Sequence, residues 1–249
     1  MPPRLDIVIP VYNEGATIVP TLAALARDVK TPNRVLICYD FPEDDTLPAI
    51  EAARGVLADL DIRLVRNRSR GAHHAIMTGF EASTAPFVLI YPADHDYAAA
   101  LVDPMMAKAE SGHDIVCASR LMKGGHMSGC PPLKYALTLA GNLTLHHLAR
   151  LPTHDATSGF RLFSRRVLDT IKIETETGFC FSLELLVKAH RLRWRITELP
   201  ARWIERKDGR SRFRVLRWLP AYLRWYAYAF ETTYLRRGPD SVTLRTKGA

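Results

Sequence analysis

The regular alternation of strand-like and helix-like segments limits the fold of this chain more than any other feature. "RLDIVIP", "NRVLICYD", "IRLVRN", "PFVLIYP" and "DIVCAS" are short apolar runs rich in β-formers and read as strands. Between them lie "GATIVPTLAALARDV", "TLPAIEAARGVLADL", "GAHHAIMTGFEAS" and "AAALVDPMMAKAES", whose apolar residues recur every three or four positions. These read as helices, with Thr46 placed to cap the second. A chain that returns to a strand after each helix lays its strands parallel and covers both sheet faces with helices. The expected class is therefore α/β, with a Rossmann-like, mostly parallel sheet. After about residue 122 the rhythm changes. A Gly/Pro-rich loop, "MKGGHMSGCPPLK", leads to a helix, "YALTLAGNLTLHHLARL", and then to a turn, strand and helix in "DATSGFRLFSRRVLDTI". Helix "FSLELLVKAHRLR", strand "WRITELPARWIE", the polar loop "RKDGRSRF" and an aromatic, basic tail follow.

Open sheets of this kind bind ligands beyond the carboxyl ends of their strands. Here those ends read "PVYNE", "YDFPEDD", "RNRSRG", "PADHD" and "SRLMKGG". Acids from some strands and arginines from others suit a site for a metal ion and phosphates. The net charge of +8 points to an anionic partner: a nucleic acid, a phosphorylated small molecule or an anionic membrane surface. A nucleic acid accounts for the charge but not for the ordered acids, so none is expected as a partner. The cysteines, Cys38, Cys117, Cys130 and Cys180, form no CxxC pair, and a zinc site is not indicated. The start "MPPRLDIVIP" carries no signal-peptide pattern, and no apolar run reaches the roughly 18–20 residues that span a bilayer. A cytoplasmic protein is expected.

In chain order, "IVIPVYNE", the acids near Asp40, the acids after "VLIYP", "ASRLMKGG", "SGFRLFSRRVL", "FSLELLVKA" and "RKDGRSRF" resemble family 2 inverting glycosyltransferases of the GT-A fold. The nearest likeness is to polyprenyl-phosphate (dolichol-phosphate) sugar synthases, over about residues 4–213. The resemblance implies a GT-A domain over residues 1–212, with residues 213–249 as an amphipathic helical tail. It implies transfer of a hexose from a nucleotide sugar of the GDP-mannose or UDP-glucose type to a polyprenyl phosphate. Two alternatives stand beside it: a family 2 transferase with a sugar or hydroxyl acceptor, and a non-catalytic nucleotide-sugar-binding relative.

The resemblance also assigns residues. Pro10, Tyr12 and Glu14 would face the nucleoside, Asn13 would cap the next helix, and Asp40 would contact the nucleoside. Tyr39 departs from the family's paired acids, and Asp44 and Asp45 read as a solvated helix start. In "PADHD", Pro92 replaces the first acid of the family's Asp-Ala-Asp. Asp94 and Asp96 remain as ligands for Mg²⁺ or Mn²⁺, with His95 either an extra ligand or, as is commoner for such a residue, turned away. Arg120, with Lys123 beside it, and Arg206 would neutralise phosphate charge, because the guanidinium fork bonds phosphate in a bidentate way. Arg120, Lys134, Thr138 and Ser211 would meet the acceptor phosphate. Asp155 would orient a basic group such as Arg161 or contact the sugar, and Gly159 would allow close backbone approach or a positive φ. Glu184 would face the site or pair with a buried arginine. Asp94, Asp96, Arg120 and Arg206 form the expected catalytic set.

A phosphate nucleophile is already ionised at neutral pH and needs no general base, whereas a hydroxyl acceptor needs one, for which Asp155 is the candidate. In the tail, Leu219, Leu223, Tyr226, Phe230 and Tyr234 share one face, Arg214, Arg217 and Arg224 the opposite one, and Trp218 and Trp225 flank them. That pattern suits a helix lying peripherally on the cytoplasmic membrane face. A helix docked on the catalytic domain or on the second subunit of a homodimer is the competing setting.

Overall fold

The computed structural model describes residues 2–204 and 215–246. Its elements are β1 (Leu5–Pro10), α1 (Gly15–Asp28), β2 (Asn33–Tyr39), α2 (Thr46–Ala52), β3 (Ile62–Arg66), α3 (Ala72–Ala82), β4 (Phe87–Ile90), α4 (Val102–Glu110) and β5 (Ile115–Ser119). There follow β6 (His126–Ser128), α5 (Pro132–His147), β7 (Arg161–Ser164), α6 (Arg165–Thr170), α7 (Cys180–Arg191), β8 (Ile196–Pro200), β9 (Arg202–Ile204) and α8 (Val215–Tyr234). They form two compact units, Met1–Ser111 with Phe160–Arg165, and Gly112–Gly159 with Arg166–Ala249.

In the first unit β1 is central. It pairs in parallel with β2 and β4, β2 pairs in parallel with β3, and β4 pairs antiparallel with β7. Successive strand residues point to opposite faces, yet Leu5 to Ile9 are all buried, so both faces are covered. The expected mostly parallel α/β sheet is what forms. Helix α3 comes so close to β1 that a Cβ on Gly79 would stand 2.3 Å from Val8 Cγ1, and only glycine fits there.

In the second unit β5 pairs with β8 and β6 with β9, both in parallel. The single strand expected over "WRITELPARWIE" is broken at Ala201, whose N–H bonds Ser119 O (2.8 Å) and whose carbonyl accepts the His126 N–H (3.0 Å). The segment read as a Gly/Pro loop therefore contributes β6. Helix α2 also ends eight residues short of the expected Leu60, at Ala52, just ahead of Gly55.

Helix α8 docks on α7. Trp225 is buried and its Nε1 donates to Thr175 Oγ1 (2.8 Å), while Arg191 Nη2 donates to Tyr228 O (2.7 Å). Trp225 thus lies on the docked side of the helix rather than flanking its apolar face. Leu219 and Leu223 stay exposed.

Candidate active site

A cleft of about 410 Å³ in the first unit is lined by Tyr12, Asp40, Phe41, Arg70 and Gly71. The rings of Tyr12 and Phe41 meet edge to face, 5.4 Å apart. Asp40 Oδ1 accepts from Asn67 Nδ2 and its Oδ2 from the Gly71 N–H, each at 2.8 Å. Gly71 has φ +108°, the left-handed side that a side chain disfavours, and so can aim its N–H at the carboxylate. Two aromatic rings, a held carboxylate and an arginine suit a flat, hydrogen-bonding ligand. Tyr12 and Asp40 come together here, as the sequence suggests. Phe41 and Arg70 were not singled out in the sequence, although Arg70 lies in the strand end "RNRSRG".

Pro10 ends β1 and is half-buried. Glu14 is not among the residues lining this cleft: its N–H donates to Thr46 Oγ1 (3.0 Å), and its carboxylate accepts the Thr17 hydroxyl (3.0 Å) at the start of α1. Thr46 therefore reaches across to the first loop instead of capping α2. Asn13 adopts φ 53° and sends its N–H to the Asp44 carboxylate (3.1 Å), so it is not the cap of α1. Asp44 corrects a second expectation. It is fully buried and takes the N–H groups of Asn13 and Thr46, fastening the β1–α1 loop to the β2–α2 loop. Asp45 is exposed but accepts the Gly15 N–H at 2.8 Å.

The "PADHD" segment follows β4 as a turn braced from within. Thr21 donates to Ala93 O (2.9 Å), and the Tyr91 hydroxyl to His95 O. Burial, reinforced by the charges of neighbours including Asp96 and Asp94, pushes the Tyr91 hydroxyl pKa well up, so it remains a donor. The His95 ring is buried against Tyr97 and Phe160, whereas Asp94 is half-buried and Asp96 exposed. No group of three or more His, Cys, Asp or Glu among the described residues stands ready to hold a metal. Two carboxylates on a braced turn fit an ion that completes its shell with diphosphate oxygens and water, as Mg²⁺ does.

In the second unit, Arg120 lies just past β5, gripped by Asp155. The guanidinium gives Asp155 two bonds, Nε at 2.6 Å and Nη2 at 2.8 Å, and the Arg120 backbone N–H a third at 3.0 Å. Asp155 is fully buried, and Thr157 and Asn142 extend the network. Burial works against the charge of Arg120, but the attraction and hydrogen bonds of Asp155 outweigh it and hold its pKa above the ordinary value. The partner that Asp155 orients is thus Arg120.

Trp203 on β9 gathers two expected site residues. The Arg120 guanidinium lies 6.0 Å and the Lys134 ammonium 5.0 Å from its ring centroid, within cation–π range. Trp203 was not singled out from sequence. An aromatic residue in a strand-like run carries no local mark of such a role. Thr138 sits one turn along α5 from Lys134, and its carbonyl accepts Asn142 Nδ2. Lys123 is exposed. Arg206 and Ser211 lie outside the described residues. Gly159 does not have a positive φ, and a Cβ there would make only ordinary contact, 3.5 Å from Phe179. Glu184 is fully buried and pairs with a lysine, not an arginine: Lys188 Nζ is 2.7 Å away, and the Glu174 and Thr175 N–H groups complete its shell.

The model for the family described as glycosyl transferase family 2 matches residues 6–172, more than half of the chain. The chain belongs to that family. Among curated relatives of this family 2 transferase, polyprenol monophosphomannose synthase of Mycolicibacterium smegmatis is 26% identical over 84% of this chain and 80% of its own length. The undecaprenyl-phosphate 4-deoxy-4-formamido-L-arabinose transferase of Pseudomonas fluorescens is 26% identical, over 86% of this chain and 61% of its own. The dolichol-phosphate mannosyltransferase of Pyrococcus furiosus is 20% identical, over 89% and 64%. The match thus leaves more than a third of the length of each of the last two uncovered. Among solved structures, glucosyl-3-phosphoglycerate synthase of Mycobacterium tuberculosis, in complex with UDP, aligns with TM-score 0.64 at 17% identity, over 91% of this chain and 81% of that one. The same enzyme with Mn²⁺, UDP-glucose and phosphoglyceric acid gives 0.62 at 16%, over 91% and 80%. These likenesses establish the GT-A fold of the family 2 transferase.

Proposed function

We propose that the protein is an inverting glycosyltransferase that moves a hexose from a nucleotide sugar to a polyprenyl phosphate at the cytoplasmic face of a membrane. The relatives named above support the acceptor class. One geometric observation carries the mechanism: Arg120 is locked to a buried carboxylate and shares an aromatic platform with Lys134. That is a preset cationic site in which the neighbouring acid is already fully engaged.

In this reading the base and ribose enter the cleft of Tyr12, Asp40, Phe41 and Arg70. Asp94 and Asp96 would hold Mg²⁺ or Mn²⁺ beside the donor diphosphate, and such an ion would supply positive charge to offset that gained by the leaving group. Arg120, Lys134 and Thr138 receive phosphate oxygens, with Arg206 and Ser211 assigned to the same work. The acceptor oxygen is anionic at pH 7, so the protein's task is to hold two repelling anions in line and neutralise the departing one. A hydroxyl acceptor would need a base, and Asp155 is occupied by Arg120.

Product analysis by mass spectrometry tests the reading. The protein is incubated with polyprenyl phosphate, Mg²⁺ or Mn²⁺ and a panel of nucleotide sugars. A new glycosyl polyprenyl phosphate is expected and names the donor. Transfer only to soluble hydroxyl acceptors, or nucleotide binding with no product, would overturn it.

A further inference from the structure

Asp155 is itself held in place, by groups that the phosphate chemistry leaves unused. Glu198 on β8, with a side chain only 11% exposed, turns its carboxylate to the loop that leads into Asp155. Its Oε2 accepts the Thr153 hydroxyl and the His154 N–H, each at 2.8 Å, and its Oε1 accepts from His154 Nδ1. The Thr153 oxygen, its proton given to Glu198, accepts the Asp155 N–H at 3.1 Å. Burial alone would raise the pKa of Glu198, but the hydrogen bonds of His154, Thr153 and Ser119 outweigh it and hold the carboxylate below its usual range. Glu198 is therefore a pure acceptor at neutral pH, and His154 carries a proton on Nδ1. Helix α5 is fastened to the same turn. The His146 ring stacks on His154 with centroids 3.9 Å apart, and its Nδ1 lies 2.9 Å from Leu151 O and 3.2 Å from Thr153 O.

We propose that Glu198 is a positioning residue for transfer: through the Thr153 hydroxyl it fixes the turn that carries Asp155, and so presets the Arg120 guanidinium for phosphate. The division of labour in its carboxylate supports this. An acid placed only to pair with His154 would need no more than Nδ1, on a side chain that is 41% exposed. Glu198 instead spends one whole oxygen on the Thr153 hydroxyl and the backbone of the turn. Thr153 is 1% exposed and Asp155 fully buried, so water does not replace the lost acceptor. Strand β8 also pairs with β5, the strand that leads to Arg120, so Glu198 stands on a common frame with both partners of the Asp155–Arg120 clamp. The clamp tolerates little drift. Its bonds of 2.6 and 2.8 Å do not survive a displacement of about 1 Å, and a misplacement of that size can cost on the order of a hundredfold in rate.

The inference rests on the reading that Arg120 meets phosphate, but its test needs no acceptor. The solvent exchange of the Arg120 Nε–H is followed by NMR on the full chain, the signal being assigned by its loss in Arg120→Lys. The Arg34 Nε–H, bonded to buried Asp6, is the internal reference for general loosening. Glu198→Ala should speed exchange at Arg120 about tenfold or more and leave Arg34 unchanged, whereas Glu198→Gln, which keeps a carbonyl acceptor, should change it by less than about threefold. Thr153→Val keeps the side-chain shape but cuts the relay, and should loosen Arg120 even if the alanine variant fails to fold. Unchanged Arg120 exchange in Thr153→Val, or equal acceleration at Arg34 and Arg120, overturns the proposal. Kinetics give the second readout. With polyprenyl phosphate as acceptor, kcat should fall about tenfold in Glu198→Ala, recover in Glu198→Gln, and fall little further when Glu198→Ala is added to Asp155→Asn. Full additivity of those two substitutions would show that Glu198 does not act through Asp155. A wild type inactive on polyprenyl phosphate counts against the acceptor reading alone, because the exchange at Arg120 still decides the role of Glu198.

Discussion

Asp155 holds Arg120 at three points: both sides of the guanidinium fork, at 2.6 and 2.8 Å, and the backbone N–H at 3.0 Å. The carboxylate is fully buried and the arginine side chain only 16% exposed, so neither has water as a ready substitute partner. Asp155 acts through Arg120 as a positioning residue. Asp155→Asn should lower kcat by roughly 30- to 1,000-fold, about 2–4 kcal/mol, as for loss of a preset electrostatic donor. Nucleotide affinity at the Asp40 cleft should not change. Thr157→Val removes the 3.2 Å contacts to the guanidinium and to Asp155 and the Asn142 bond but leaves the Asp155–Arg120 pair itself intact, and should cost far less. A pH–rate limb present in the wild type and missing in Asp155→Asn would instead reveal a general base.

The nucleoside cleft makes its own prediction. Asp40 spends one lone pair on Asn67 and one on Gly71, leaving others for a ligand. Asp40→Asn disturbs both uses and should weaken nucleoside diphosphate binding by about 1.5–3 kcal/mol, roughly 10- to 150-fold. Arg70→Ala should weaken it too, with calorimetry as the measurement. Unchanged affinity in both variants would move the nucleotide elsewhere.

The turn after β4 predicts a metal effect separable from the cleft. Asp94→Asn with Asp96→Asn should abolish the gain in nucleoside diphosphate affinity that Mn²⁺ provides, while leaving metal-free binding intact. The Tyr91–His95 and Thr21–Ala93 bonds go to backbone oxygens, so the turn should keep its shape in the variant. If the Mn²⁺ effect persists, those carboxylates are not its ligands.

Much of this was legible in the sequence because it is local. The apolar runs of β1, β2, β4 and β5 announce buried parallel strands, and Asp40, Asp94 and Arg120 stand at strand ends where such sheets bind ligands. What was not legible depends on contacts between distant segments. Asp44 looks like a solvated helix start until Asn13, thirty-one residues away in sequence, presents its N–H. Glu184 pairs with Lys188 one turn on, but its full burial depends on the surrounding chain. The pairing of β6 with β9 was hidden because a three-residue strand in a Gly/Pro segment has no periodicity to read. Pro92 is different: its departure from the family's acid was visible, and the structure shows the neighbouring turn braced through backbone oxygens.

Trp203 links the chemistry of two cations and predicts a specific kinetic signature. Replacing it with leucine keeps an apolar side chain, though a smaller one, and removes the aromatic face near Arg120 and Lys134. Each cation–π contact is worth about 0.5–2 kcal/mol. Trp203→Leu should therefore raise the KM for the phosphate acceptor several-fold with little change in donor affinity. Phenylalanine, which keeps a π face, should restore most of the loss. A merely space-filling tryptophan would treat leucine and phenylalanine alike.

The last prediction concerns stability and its dependence on acid. Asp6 is fully buried in β1, and Arg34 bonds both its oxygens at 2.9 Å. The Ser83 hydroxyl and the N–H groups of Thr84 and Ala85 also donate to it. Burial alone would raise its pKa, but these donors together outweigh that and hold it below the usual carboxylate range. The unfolded chain, with an Asp pKa near 3.9, then binds the proton more readily than the folded one. The stabilisation is complete above that value and is lost as pH falls through the lower, folded value. Thermal melts should show a steep loss below about pH 4. Asp6→Asn leaves a buried arginine without its counter-charge, so it should cost about 3–5 kcal/mol at pH 7 and flatten the acid limb. Parallel acid limbs in the wild type and the variant would show that another carboxylate sets the transition.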